Sequence, residues 1–304
     1  RLIALNARTG ALYPTFGENG IVDLSQSLGR EIDRSRITHS TPVAVVRDTL
    51  VVGSTLTDQT TTREAPPGHV RGFDARTGAM KWIFHTIPQG DDFGVDSWQN
   101  GSWRYSGHTN VWGNMAVDEE LGYVYLPVST PTNDWYGGMR HGDNLFAESI
   151  VAVDAETGQR VWHFQAVHHG LWDYDFPTGG NLIDITVDGR DIKAIAQTSK
   201  QAFTYVFDRV TGEPVWPIEE RSVPAGDAPG EWYSPTQPFP TKPPAFDLQG
   251  ITIDDLIDFT PELREEAIRI AERGQLGPMF TPPNVRGRGR PMIQAPGTGG
   301  GVNW

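Results

Sequence analysis

One short turn pattern recurs four times along the chain and constrains its fold more than any other feature. Each copy is an apolar alternating run, an acidic or amide residue, two intervening residues and then Thr-Gly: Leu2-Ile3-Ala4-Leu5-Asn6-Ala7-Arg8-Thr9-Gly10, Val70-Arg71-Gly72-Phe73-Asp74-Ala75-Arg76-Thr77-Gly78, Val151-Ala152-Val153-Asp154-Ala155-Glu156-Thr157-Gly158 and Tyr205-Val206-Phe207-Asp208-Arg209-Val210-Thr211-Gly212. Trp82, Trp162 and Trp216 follow the last three at a fixed offset. A hairpin accounts for the pattern, because the Asp closes a tight turn through its side chain and the Gly supplies positive φ. The copies are far enough apart for each unit to be a four-stranded blade with variable loops, the mark of a β-propeller.

The chain of 304 residues is long enough to bury a large core, and a repeat fold could hold all of it as one domain. A net charge of −13 argues against nucleic acid as a partner, since no excess of Lys and Arg is available to neutralise phosphate. The one basic cluster, Arg286-Gly287-Arg288-Gly289-Arg290, sits in a Gly-rich loop and reads as solvated. Without cysteine there is no disulfide and no thiolate metal site. No run approaches the roughly 20 apolar residues of a membrane span. Arg1 opens within a strand pattern and Gly299 to Trp304 stops where another strand is due, so the chain is expected to be an internal fragment.

Strand signals dominate to about residue 217, in Thr41 to Ser54, Asn114 to Val128, Ser149 to Phe164 and Ala194 to Phe207, an all-β body. The Pro-dense stretch from Pro217 to Phe246 has too few periodic apolar residues to pack as a strand and is expected to be a long loop. Thr260-Pro261-Glu262 then predicts a helix start, with Leu263, Ala267, Ile268 and Ile270 as an apolar stripe running to Gly274. Residues 1–304 are read as a single partial propeller, with 217–300 an excursion on its rim.

Chemistry-bearing residues concentrate in three segments. Gly53 to Gln59 with Thr61 to Glu64 leaves a strand end carrying hydroxyls, Asp58 and Arg63, either a polar turn or a ligand site. Gly107 to Gly113 and Thr130 to Trp135 combine Trp112 with oxygen donors of the kind Ca²⁺ prefers, although Trp at this density also docks blades. In His168-His169-Gly170-Leu171-Trp172-Asp173-Tyr174-Asp175 the adjacent histidines are a poor chelating pair, which disfavours zinc. Asp173 and Asp175 share a face if the segment is a strand, and aromatic neighbours would raise the pKa of one toward that of a general base. A structural Asp satisfied by backbone N–H groups is the alternative. Lys200 follows a strand and either faces solvent or points inward, where it could stabilise negative charge on a ligand oxygen.

Several strings carry a family likeness: Thr62-Arg63-Glu64 with Val70 to Asp74, Val124-Tyr125-Leu126-Pro127, Val167 to Asp175, Asp184 to Gly189, Val206 to Arg209, Ser234 to Phe239 and Phe280-Thr281-Pro282-Pro283. In order and over nearly the whole chain, they resemble the pyrroloquinoline-quinone (PQQ)-dependent dehydrogenases, closest to the membrane-bound glucose and polyol dehydrogenase branch. The resemblance implies an eight-bladed propeller holding the quinone and Ca²⁺ or Mg²⁺ in a central funnel. It implies Asp173 as the catalytic base, Lys200 as the cation on the quinone oxygens, Trp112 as the floor beneath the cofactor, and Asp58, Thr132 and Asp173 at the metal. The alignment near Thr132 leaves Thr130 as a substitute, and Arg63 is implied to face the cofactor carboxylates. It further implies a sugar or polyol substrate, hydride transfer to the quinone, ubiquinone as electron acceptor, and a periplasmic location with any membrane anchor lying in segments outside these residues.

Alcohol-oxidising members carry adjacent cysteines against the quinone, and their absence here favours the sugar and polyol branch. About four repeat units against eight leave the isolated chain expected to be inactive. The competing readings are a non-enzymatic scaffold propeller, which shares the hairpin and Trp pattern, and a degenerate member that binds quinone without turnover. Rim loops would set substrate choice, and Asp134, Tyr136, His169 and the excursion from 217 to 300 are the candidates for that role.

Overall fold

A computed structural model describes residues 1–57, 62–300 and 302. Three antiparallel sheets follow one another, each with its strands in sequence order, the short strand Thr55–Leu56 leaving the first to pair with Ile37–Thr38. The first joins Ala44–Val46, Thr49–Val52, Val70–Asp74 and Met80–Phe84. The second joins Ala116–Asp118, Tyr123–Pro127, Ser149–Asp154 and Arg160–Gln165. The third joins Asn181–Val187, Arg190–Thr198 and Thr204–Asp208, and Pro214 bridges to Phe207 where a fourth strand would lie. Leu2–Ile3 and Ile21–Val22 form a short pair ahead of these. The first strands of successive sheets lie side by side, as blades do around an axis, and the sheets do not close into a ring. The chain is a partial β-propeller.

Each repeated turn folds as its residue types require. Asp74 accepts from the N–H groups of Arg76 and Thr77 and from the Thr77 hydroxyl, and Gly78 takes φ 71°. Asp154 makes the same three bonds before Gly158, and Asp208 and Asn6 each accept the two backbone bonds. The tryptophans dock each blade on the next: Trp82 donates to Ala155 O at 2.9 Å and Trp162 to Arg209 O at 3.1 Å.

The second sheet is buried on both faces, and strand alternation sorts its residues between them. Val124, Leu126, Val151 and Val153 pack with Val51, Val70 and Trp82 of the first sheet. Tyr125, Ile150, Ala152 and Trp162 pack with Ile195, Tyr205 and Phe207 of the third. Burial on both faces explains why these strands read as nearly continuous apolar runs.

Downstream of residue 217 the structure departs from the sequence reading. Ile218–Ser222 and Thr236–Pro240 pair as an antiparallel hairpin within the stretch expected to be a loop. Pro238 and Pro240 are two residues apart, so both missing N–H groups lie on the edge facing away from the partner strand. Gln237 anchors the hairpin to the body, its side chain accepting from His168 N at 2.8 Å and donating to His168 O at 2.7 Å. The expected helix is present as α1, Pro261–Ala271, with the Thr260 hydroxyl accepting from Leu263 N. Its stripe is not a packed face, however: Leu263 and Ile270 are exposed and only Ala271 is buried. Beyond the helix, Phe280 meets Trp172 and Tyr174 edge-on, and Trp172 and Tyr174 donate to the carbonyls of Thr281 and Pro296. This return covers the segment that carries Asp173. No helix among the described residues is long and apolar enough to cross a membrane.

Candidate functional site

A cavity of about 240 Å³ opens where segments leaving one end of the three sheets converge. Topology fixes this convergence. Thr55 follows the second strand of the first sheet, Ser129 and Thr130 follow the second strand of the second, and Lys200 follows the second strand of the third. Trp112 and the pair Asp173 and Asp175 lie in the segments leading into the first strands of the second and third sheets. A corner held by Asn110 ties these segments together: its side chain donates to Ser54 O and accepts from Ser129 Oγ, each at 2.8 Å.

Asp175 occupies the centre of the wall. Its Oδ1 accepts from Thr130 N at 2.6 Å and Thr130 Oγ1 at 2.8 Å, and its Oδ2 accepts from Trp112 Nε1 at 3.0 Å and Lys200 Nζ at 3.1 Å. Lys200 also donates to Asp173 Oδ1 at 3.0 Å, and its ammonium stands 5.6 Å from the Trp112 ring centroid. The strand expected through Asp173 and Asp175 is absent. The segment is irregular, and a left-handed φ of 57° at Asp173 turns its carboxylate onto the same lysine as Asp175. Non-glycine residues rarely adopt that conformation, and His108 and Thr109 beside the cavity adopt it too.

The electrostatics follow from burial and from Lys200. Burial, reinforced by the neighbouring Asp175, pushes the Asp173 carboxyl well above the usual carboxylate range. Burial also opposes ionisation of Asp175, but Lys200 and the two Thr130 donors outweigh it and hold Asp175 below that range. The two carboxylates override the desolvation of Lys200 and raise its pKa, so it stays an ammonium. One carboxylate that favours its ionised form, one carboxyl of raised proton affinity and one ammonium therefore face the same space. Such a trio can hold an anionic oxygen and exchange a proton with a bound hydroxyl.

Of the residues singled out from sequence, Trp112, Asp173 and Lys200 are brought together here, as is Thr130. Thr132 is buried outside the lining, and its hydroxyl has no hydrogen-bond partner among the described residues. Arg63 is exposed, bonded to Glu64 and stacked over Tyr105 at 4.2 Å, away from the cavity. Asp58 lies outside the described residues. Among rim positions, Asp134 lines the cavity, whereas His169 is buried between Gly142 O and the Glu231 carboxylate. No group of three His, Cys, Asp or Glu among the described residues is spaced to hold a metal by itself.

Two charged residues escaped the sequence reading. Arg140 is fully buried and donates to Thr132 O, Asn133 O, Gly170 O and Asn144 Oδ1 at 2.7–3.0 Å. It thereby clamps the loop after the second strand to the segment before Asp173. Glu148 is fully buried, lies 3.2 Å from the Thr130 hydroxyl through Oε1 and is pushed up to about 8 by burial and by Asp175. A lone acid inside the apolar run Phe146-Ala147-Glu148-Ser149-Ile150 was the available signal for Glu148. Arg140 left none.

Comparison with known proteins gives this arrangement a lineage. The family described as PQQ: Glucose/ethanol/alcohol dehydrogenase, beta-propeller domain, matches residues 1–304. The chain is 35% identical to the glycerol dehydrogenase large subunit of Gluconobacter thailandicus, with all of the chain and 40% of that protein covered. It is 34% identical to the quinoprotein glucose dehydrogenase of Escherichia coli (strain K12), again over the whole chain and 37% of that protein. The chain thus spans less than half the length of these relatives. The solved structure of a quinohemoprotein alcohol dehydrogenase from Pseudomonas putida HK5 superimposes with a TM-score of 0.54 at 30% identity, covering 62% of this chain and 29% of that one. Matched from its first residue to its last, the chain belongs to the β-propeller family of the PQQ-dependent glucose, ethanol and alcohol dehydrogenases.

Proposed function

We propose that the protein carrying this chain is a PQQ-dependent dehydrogenase that oxidises a CH–OH group of a sugar or polyol, with Ca²⁺ or Mg²⁺ at the same site. The observation that carries this reading is the meeting of Lys200, Asp173 and the Trp112 ring in one cavity. The residues present suit both groups. A flat, anionic quinone finds a large aromatic face and an ammonium beside it. Asp134 and Asp173 line the cavity and offer carboxylate oxygens of the kind a hard divalent cation prefers, and because the carboxylates are not spaced to hold an ion by themselves, a cation would draw further oxygens from the quinone and from residues beyond this set.

The quinone, when bound, supplies the two-electron acceptor that no side chain provides. The chain's own residues do the rest. Asp173 in its ionised form receives the proton of the substrate hydroxyl; its raised proton affinity favours the transfer, and Lys200 Nζ at 3.0 Å supports the carboxylate beforehand. Lys200 donates to oxygens that become negative, and it stays charged through the cycle because Asp175, which favours its ionised form, lies next to it. Trp112 closes one side of the cavity against water. Thr130, which bonds Asp175 through its hydroxyl and backbone N–H, also lines the cavity, and Thr132 and Asp58 remain the proposed further metal-side positions.

Electron delivery to ubiquinone at the periplasmic face of an inner membrane completes the proposal. Glycerol and glucose, named for the two relatives above, are the substrates to try first. The test uses the complete gene product, reconstituted with PQQ and Ca²⁺ and assayed with a dye acceptor on glucose, other aldoses, polyols and simple alcohols. Turnover that needs quinone and metal, and falls about 10²–10⁴-fold in Asp173→Asn, is the expected result. Quinone binding without turnover on any of these would point to a degenerate homologue, and no quinone binding at all would overturn the proposal in favour of a scaffold.

A further inference from the structure

We infer that Asp175, and not the catalytic pair alone, sets the geometry of the quinone site: its single carboxylate positions the Trp112 ring, the Lys200 ammonium and Thr130 at once. This inference rests on the functional reading above and assigns a positioning role within it. Each oxygen of Asp175 accepts two bonds, and the four donors come from three different segments of the chain. Trp112 precedes the second sheet, Thr130 follows that sheet's second strand, and Lys200 follows the second strand of the third sheet. A fifth link runs through the backbone, where Lys200 N donates to Asp175 O at 3.2 Å.

The arrangement has a consequence for ring orientation. An indole stacked beside a planar ligand can rotate about its side-chain torsions unless its N–H is held, and Asp175 Oδ2 holds it at 3.0 Å. The same oxygen holds Nζ of Lys200, so the aromatic face and the cation are fixed relative to each other by one atom. No other residue could replace it without a carboxylate at this point. An amide in its place presents acceptors on one side only, and its NH₂ then faces either the Thr130 N–H or the Trp112 and Lys200 donors, leaving buried donors unpaired.

Equilibrium titration of PQQ into the Ca²⁺-loaded, full-length apo-protein tests the inference without any turnover. Asp175→Asn is expected to weaken quinone binding at least tenfold. The link to Trp112 is tested by a cycle with Trp112→Phe, which keeps a ring but has no N–H to hold. The double variant is expected to lose at least about threefold less affinity than the product of the two single losses, because the Phe has already forfeited the link. A carboxylate that served stability alone would lower the melting temperature and leave the two losses multiplicative. Binding by Asp175→Asn within twofold of wild type, or a multiplicative cycle, overturns the inference. Failure of the wild type to bind quinone overturns the functional reading instead. Should Asp175→Asn not fold, Thr130→Val removes one of its four bonds and is expected to weaken binding about threefold; unchanged binding there would count against Asp175 in the same way.

Discussion

The ring of Trp82 lies over Gly158, the turn glycine of the following sheet, while its indole N–H reaches the carbonyl of Ala155 in the same turn. A Cβ at 158 would stand 2.5 Å from the ring, and the backbone there has φ 72°. Trp162 repeats the arrangement over Gly212, with the corresponding distance 2.6 Å. Gly158 and Gly212 therefore serve two demands, one from their own turn and one from the preceding blade.

These demands can be separated. Gly158→Ala meets both and is expected to destabilise by about 3 kcal/mol, combining left-handed strain with overpacking. Gly189→Ala, in a turn with φ 76° and nothing within 4 Å, meets only the first and is expected to cost about 1 kcal/mol. Guanidinium unfolding of the two variants beside the wild type measures the difference. Equal losses would mean that Trp82 accommodates a methyl group and that the blade contact is looser than its geometry indicates.

Asp118 in the second sheet and Arg209 in the turn of the third form a buried ion pair at 2.7 Å, and Arg209 also bonds Asp184. Burial works against the charged Asp118, but the Leu121 N–H and Arg209 outweigh it and hold its carboxyl below the usual value. The sign follows from that depression. The folded state binds the proton less readily than the unfolded state, so the pair's contribution is complete above the unfolded pKa of about 3.9 and is lost as pH falls through the lower folded value. Asp118→Asn is expected to cost about 3 kcal/mol near neutral pH, since it leaves a buried guanidinium short of a partner. Melting curves from pH 7 down to pH 3 should show the gap between wild type and variant constant at first and closing below about pH 4. A gap that stays open at the acid end would assign the loss to packing and not to charge.

What could be read from sequence was what the chain encodes locally. The Asp-x-x-Thr-Gly hairpins announce themselves because side chain and backbone within five residues make the bonds, and Trp82 and Trp162 lie at a set distance from them. The cluster of Trp112, Asp173 and Lys200 was legible as chemistry through family likeness, although the irregular path that joins Asp173 to Lys200 was not, since alternation suggested a strand there. Gln237 shows the opposite case: its side chain replaces a backbone partner for His168, so a Pro-rich stretch gains a hairpin that no apolar period foretold. The stripe on α1 misled for a related reason. Periodicity records a helix that can pack, and here Leu263 and Ile270 are left exposed.

Arg140 belongs to the part that sequence could not disclose, and it carries the sharpest mutational expectation. Its guanidinium is fully buried, and four bonds spread its charge over three backbone carbonyls and the Asn144 side chain. Two of those carbonyls belong to Thr132 and Asn133, on the loop that carries Asp134 at the cavity, and the third belongs to Gly170, three residues before Asp173. A lysine keeps the charge but gathers its donors on one atom, which cannot span acceptors that surround a planar fork. Arg140→Lys is therefore expected to cost about 3 kcal/mol through unpaired buried carbonyls. If the clamp also registers the two cavity segments, the variant should weaken PQQ binding in the Ca²⁺-loaded protein at temperatures well below its melting point. Thermal unfolding and quinone titration on the same sample separate the two effects. Wild-type stability in Arg140→Lys would show that the charge, and not the fork, is what this position requires.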